Sequence, residues 1–376
     1  MPTESNPTPS LAPVKNRPSL NLALQGGGSH GAFTWGVLDA LLEDGRIDFE
    51  GISGTSAGAM NAVALAHGFA ITPANKDPRD AARESLANFW NGVSTLGGLS
   101  AAQQAPFDLL FGQMNTENSP VALWGQAMTS LWSSTVSPYQ SNPFDLNPLR
   151  GFLKAQVDFA AIQRLHSLKL FVVATRVSTG QAEVFSGQRL TVDAVMASAC
   201  LPTVFKAVEI EGDHFWDGGY SGNPAIHPLI YNCVGRDIVL VQINPIKRDK
   251  LPTTSAEIMD RINEVTFNAG LMAEMRAIDF VKRLLAEGRL DPTQYKDVLM
   301  HRIDGGEALE AYAASTKAST GTQLIHTLRD LGQAHGRDWL KAHFKDLGVH
   351  CTVNIKRDYL DDLRVPVKRR TPPHPV

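Results

Sequence analysis

The chain is poor in cysteine: Cys200, Cys233 and Cys351 are the only 3 among 376 residues. An odd number cannot all pair with one another, and their separations fit no zinc-binding pattern. The sequence therefore reads as reduced and metal-free. It also lacks a long apolar run. Nowhere do about 18 apolar residues follow one another without a charge or a polar cluster, so no spanning helix is indicated. Excess charge is missing too, with 35 Lys and Arg against 38 Asp and Glu and a formal net charge of −3. Such a balance gives no overall field to attract nucleic acid. Charged residues at 19% and hydrophobic ones at 43% exclude collagenous, coiled-coil and wholly disordered chains.

The ends are equally spare. Residues 1–19 carry Pro2, Pro7, Pro9, Pro13 and Pro18 but no apolar core of the secretory type, and they read as a disordered lead-in. A cytoplasmic address follows by default, with peripheral membrane contact left open. Residues 364–376 hold Arg364, Lys368, Arg369 and Arg370 among prolines. They read as a solvated basic tail, whose cations each add about 1 kcal/mol of attraction near an anionic lipid surface.

Glycine, by contrast, is placed with pattern. Leu20, Leu22 and Leu24 alternate with Asn21, Ala23 and Gln25 before Gly26-Gly27-Gly28-Ser29-His30-Gly31, which predicts a strand entering a glycine loop. Phe33, Val37, Leu38, Leu41 and Leu42 then recur at helical spacing, and Gly45 stands where a left-handed C-terminal cap belongs. Phe49 and Ile52 lead into Gly54-Thr55-Ser56-Ala57-Gly58 and a small-residue helix. The unit reads β-loop-α-β-turn-α.

Two motifs share this unit, and each alone is weak. Gly26, Gly28 and Gly31 fit a dinucleotide fingerprint, G-x-G-x-x-G, but that reading needs an acidic residue at the end of the next strand. Asp48 and Glu50 lie at its beginning instead. The G-x-S-x-G pattern at Gly54 to Gly58 makes chemical sense of the same context. A serine on a sharp turn between strand and helix exposes its hydroxyl, so Ser56 is the candidate nucleophile. Amides of the glycine loop at a helix start can converge on one anion, such as the oxygen of a tetrahedral acyl intermediate. The nucleophile also needs a proton acceptor. Only one strand precedes that of Ser56, which argues against the ordinary α/β-hydrolase layout. Among 11 histidines, His227, next to Pro228, is a candidate near a second glycine-rich site, Phe215-Trp216-Asp217-Gly218-Gly219-Tyr220-Ser221-Gly222-Asn223-Pro224, where Asp217 ends an apolar stretch.

The glycine loop, the G-x-S-x-G turn and Asp217-Gly218-Gly219, in that order, resemble the patatin-like phospholipase family. Ala174 to Gly180 and Ala197 to Pro202 look like further family blocks, so the likeness spans about 20–245. The resemblance implies an α/β fold of three layers, α/β/α, with a mostly parallel central sheet and a helical C-terminal extension. It implies Ser56 as nucleophile, Asp217 as general base, the backbone of Gly26, Gly27 and Gly28 as oxyanion hole, and no cofactor. The substrate is then a lipid or other acyl ester, with phospholipid expected from the family alone. An esterase, a thioesterase or an intracellular polyester hydrolase would use the same dyad. A nucleotide-binding protein and an inactive lipid-binding module are the competing classes, and nothing identifies a protein partner. His30 departs from the family, whose loop commonly has Arg or Lys there; a fixed cation gives way to a group titrating near pH 6.5 unless perturbed. An aspartate of ordinary pKa is a poor base for a hydroxyl, so the site is expected to raise its basicity by desolvation.

Between Arg83 and Arg150 there is no Lys or Arg, and Trp90, Trp124 and Trp132 fall there. Val121, Trp124, Met128, Leu131 and Trp132 keep helical spacing. The segment, about 84–149, reads either as core helices over the sheet or as an acyl-binding wall or lid, with Trp124, Met128 and Trp132 as candidate substrate-binding residues. Val239 to Ile243 form another buried strand, after which the core is expected to end near 245. In 246–363, Thr254-Ser255-Ala256-Glu257 fits a capping box. Ile258, Ile262, Val265, Met272, Met275, Ile278, Val281 and Leu285 continue a helical stripe beyond it. Residues 297–303 suggest a strand. The chain has no internal repeat.

Overall fold

A computed structural model describes residues 17–73, 75–96, 137–142, 144–145, 147–312, 317 and 321–360. Strand β1 (Ser19–Leu24) runs into the glycine loop, and α1 (Gly31–Asp44) follows, ending at Gly45 with φ 68°. That left-handed residue is the cap expected at this position. β2 (Asp48–Thr55) and α2 (Ala57–Ile71) complete the first unit, and α3 (Pro78–Leu96) packs on α2. α4 (Pro148–Gln156), β3 (Lys169–Arg176), β4 (Ala182–Phe185) and α5 (Val192–Ser198) come next. The remaining strands are β5 (Val208–Ile210), β6 (Asp213–Asp217), β7 (Asp237–Gln242) and β8 (Leu299–Asp304). α6 (His227–Asn232) precedes β7, α7 (Ser255–Ala286) lies between β7 and β8, and α8 (Thr322–His343) follows β8.

The strands form one 8-stranded sheet in the order β5-β6-β3-β2-β1-β7-β8, with β4 also on β3. β3, β2, β1, β7 and β8 are parallel; β4, β5 and β6 pair antiparallel at one side. Alternation along the strands divides the core in two. Leu20, Leu22 and Leu24 of β1, with Ile52, Val239 and Val241, face α1, α2, α3 and α8. Ala23, Ile238, Leu240 and Met300 face Leu229 of α6 and Leu271, Met275 and Ile278 of α7. Helices thus cover both faces of a mostly parallel sheet, as the α/β/α expectation requires.

The sheet does not stop at β7. β8 pairs with it from Asp237↔Leu299 to Gln242↔Asp304, so the boundary drawn near 245 falls within one sheet. The capping box at Thr254 and Glu257 forms and starts a single helix of 32 residues. Its apolar stripe has two fates: Met275 and Ile278 are buried, whereas Ile258, Ile262 and Val265 are exposed. Helical spacing marks a face, and only the second half of that face meets the sheet. Trp90 is buried and donates to Asn61 Oδ1 at 2.9 Å. Trp124, Met128 and Trp132 lie outside the described residues. Among the described residues, no helix is long and apolar enough to cross a membrane.

Candidate active site

β1 and β2 are adjacent and parallel, with Leu24 opposite Gly54. Their carboxyl ends therefore deliver the glycine loop and the G-x-S-x-G turn to the same place. Ser56 sits between β2 and α2 at φ 53°, ψ −122°, a conformation that an L residue holds only when its surroundings enforce it. The enforcing contacts are visible. The Ser56 N–H donates to Ser198 Oγ at 2.9 Å, and the Ser56 carbonyl accepts from Met60 N–H at 3.0 Å. Gly26 lies so close that a β-carbon there would stand 2.6 Å from Ser56 Cβ and 2.6 Å from the Thr55 carbonyl oxygen. Glycine at 26 is a steric condition for the turn.

β6 brings Asp217 to the same end of the sheet from the antiparallel side, in register with Ala174 of β3. Its backbone is fixed from both directions. The Asp217 N–H donates to the Cys200 carbonyl at 2.7 Å, and its carbonyl accepts from Thr175 Oγ1 at 2.8 Å. The side chain is buried and accepts from the Gly219 N–H at 2.7 Å, and the Ser56 hydroxyl is near enough to lower its pKa. Burial pushes the carboxyl up to about 7, and the two donors only partly offset that rise. A carboxylate with an ordinary pKa would release a proton too readily to act as a base near neutrality; one near 7 is matched to that role.

The loop after Asp217 is fastened to β2 and to the glycine loop. Ser53 Oγ donates to the Ala225 carbonyl at 2.5 Å, and Thr55 Oγ1 to that of Gly222 at 2.7 Å. Asn223 Oδ1 accepts from the Gly26 N–H at 2.6 Å, while its Nδ2 donates to the Gly26 carbonyl at 3.3 Å. The Gly26 amide is therefore already committed. Among the described residues, the N–H groups of Gly27 and Gly28 donate to no backbone acceptor. Phe267 of α7 lies over Gly219, its ring 5.2 Å from that of Tyr220, and covers the loop.

Two expectations about histidine meet the structure differently. His227 is engaged away from Ser56: its Nδ1 pairs with Glu274 Oε1 at 2.9 Å, and Glu274 also accepts from the Ile226 and His227 N–H groups at the start of α6. His30 is buried, with its ring 6.2 Å from that of Tyr312. Burial, followed by the nearby charges of Lys317 and Arg248, pushes it down to about 3. It is neutral through the physiological range, and a titration near neutrality at position 30 is corrected: desolvation decides its state.

Ser198, Asn223, Asn244 and Gln25 are the polar residues that the motifs did not reveal. Gln25 Oε1 accepts from the Ile243 and Asn244 N–H groups at 2.9 Å each, joining β1 to the end of β7. The available signal was a polar residue at the end of an apolar strand, or an Asn before Pro, as in Asn223-Pro224 and Asn244-Pro245.

Comparison with solved structures finds VipD from Legionella pneumophila at 16% identity, covering 92% of this chain and 73% of that one, with a TM-score of 0.40. The human GIVD cytosolic phospholipase A2, solved with methyl gamma-linolenyl fluorophosphonate, is 13% identical over 88% of this chain, with a TM-score of 0.40. The type III effector ExoU is 14% identical over 87%, with a TM-score of 0.28. This chain spans 59% of the human chain and 53% of ExoU. A search of curated proteins gives no match. The sequence model of the patatin-like phospholipases matches residues 22–230, more than half of the chain and from the first strand to beyond Asp217. The chain belongs to the patatin-like phospholipase family.

Proposed function

We propose that the protein is a serine lipid acyl hydrolase, of the phospholipase A or lysophospholipase type, that works through an acyl-enzyme on Ser56. The observation that carries this reading is a serine held at positive φ beside a buried aspartate whose carboxyl is pushed up to about 7. Ser56 Oγ attacks the ester carbonyl carbon as its proton passes to the Asp217 carboxylate. The carbonyl oxygen becomes an oxyanion beside the Gly27 and Gly28 amides, where preorganised donors stabilise developing charge. Collapse breaks the bond to the leaving alkoxide, which takes the proton from Asp217 and departs as an alcohol. Water then attacks the acyl-serine, giving a proton to Asp217. The second collapse frees the fatty acid and returns the proton to Ser56.

Family membership supports lipid as the substrate class. The dyad itself acts on the carbonyl and is indifferent to the head group. A fluorophosphonate probe tests the reading directly. Covalent labelling and hydrolysis of short esters and phospholipid should both disappear in Ser56→Ala. A well-folded wild-type protein that takes no label, or a Ser56→Ala variant that still takes it, would defeat the assignment. Mass spectrometry of products from a mixed phospholipid extract separates lipid hydrolysis from action on other esters or thioesters.

A further inference from the structure

The peptide that carries the glycine loop into position is held by a second carboxamide besides Asn223. Asn244, just past β7, donates from Nδ2 to the Gly26 carbonyl at 2.7 Å and to Gln25 Oε1 at 3.2 Å. A carboxamide donating in this way is oriented by whatever its oxygen accepts. Here the donor is Lys317 Nζ, 2.7 Å from Asn244 Oδ1. An ammonium is acceptorless, so it fixes which end of Asn244 faces it and leaves Nδ2 no alternative but to face the loop.

Lys317 also meets the loop through its backbone. A β-carbon on Gly28 would collide with the Lys317 carbonyl, and one on Gly27 would stand 3.5 Å from Asn244 Oδ1. The ammonium is thus two contacts from the amides assigned to the oxyanion. Its charged surroundings are Glu264, Asp260 and Arg248. Glu264 is shared between Arg248 at 2.6 Å and Arg261 at 3.1 Å. Residue 317 lies beyond the family-matched segment, which ends at 230.

We propose that Lys317 is a positioning residue for acyl transfer: by orienting Asn244 it locks the Gly26 peptide, and so aims the Gly27 and Gly28 amides at the oxyanion. The proposal rests on the hydrolase reading above. Its consequence is a selective effect on the transition state, since the link from Lys317 runs through Asn244 to the Gly26 peptide. A small misdirection of catalytic groups is enough to cost about 100-fold.

The test uses the full chain with a soluble p-nitrophenyl ester and a fluorophosphonate, comparing wild type, Lys317→Met, Lys317→Arg and Ser56→Ala. Lys317→Met should lower kcat about 10- to 100-fold with KM essentially unchanged, and slow labelling in parallel. Lys317→Arg, which retains a cationic donor, should recover most of that loss. Should Lys317→Met fail to fold, Asn244→Asp reads the same link, because it keeps an oxygen for the ammonium and removes both donors to the loop. A folded Lys317→Met or Asn244→Asp with wild-type kcat overturns the proposal, as does a loss confined to KM. Failure of the hydrolase reading looks different: the wild type itself is then inert, or Ser56→Ala remains active.

Discussion

Replacing Asp217 by Asn removes one ionisable group and almost no volume. The carboxamide oxygen can still accept from the Gly219 N–H, which is 2.7 Å from Asp217 Oδ1, so the fold should survive. Burial raises this carboxyl from 3.8 to about 7, and the sign of the stability effect follows. Below the unfolded-state pKa both states hold the proton and nothing is lost. As the pH rises from there to the folded-state value, only the unfolded chain releases its proton, and the wild type weakens by about 1.4 kcal/mol per pH unit. The whole window amounts to roughly 4 kcal/mol, of which about 2–3 kcal/mol falls between pH 5 and 7. Asp217→Asn carries no such penalty. Denaturant unfolding of both proteins at pH 5, 6, 7 and 8 should show the variant gaining on the wild type up to pH 7 and then holding its lead. Its ester hydrolysis should fall by several orders of magnitude, because the proton acceptor is gone. Wild-type kcat/KM should correspondingly rise with pH and level off above about 7. Parallel unfolding curves would refute the buried-carboxylate argument, and a folded variant labelled by fluorophosphonate at the wild-type rate would refute the role.

Other expectations follow from the same contacts. His30→Arg should destabilise the fold by about 3–5 kcal/mol, because it puts a cation into a buried place already near the charges of Lys317 and Arg248. His30→Gln should leave the pH profile near neutrality unchanged; calorimetry and a pH–rate series check both, and a profile that shifts with His30→Gln would show the histidine titrating after all. Ser198→Ala removes the acceptor for the Ser56 N–H and should cost about 1–3 kcal/mol. A fall in fluorophosphonate labelling should accompany it, whereas an unchanged labelling rate would mean that the turn is held without Ser198.

The first unit of the fold was legible because its signals are local. Alternating leucines, a glycine loop, a helix closed by Gly45 and a serine between two glycines each report on a few neighbouring residues, and their order already named the family. The stripe on α7 was legible only as a periodicity. Its first half, Ile258 to Val265, faces solvent, since spacing says which residues share a side and not what lies against that side. The end of the sheet was misplaced for a related reason. β8 enters it from beyond a helix of 32 residues, and pairing at that separation leaves no trace in a local pattern.

The chemistry divides along the same line. Residue type and motif order by themselves determined that Ser56 and Asp217 are the reactive pair to consider, because only certain side chains can attack or accept a proton. Tertiary structure decided their state. Burial brought Asp217 near pH 7 and kept His30 neutral, and Asn223 and Asn244 from distant segments clasp the Gly26 peptide. Desolvation and hydrogen-bond direction depend on which distant segments close around a group, so they come into being only when the chain has folded.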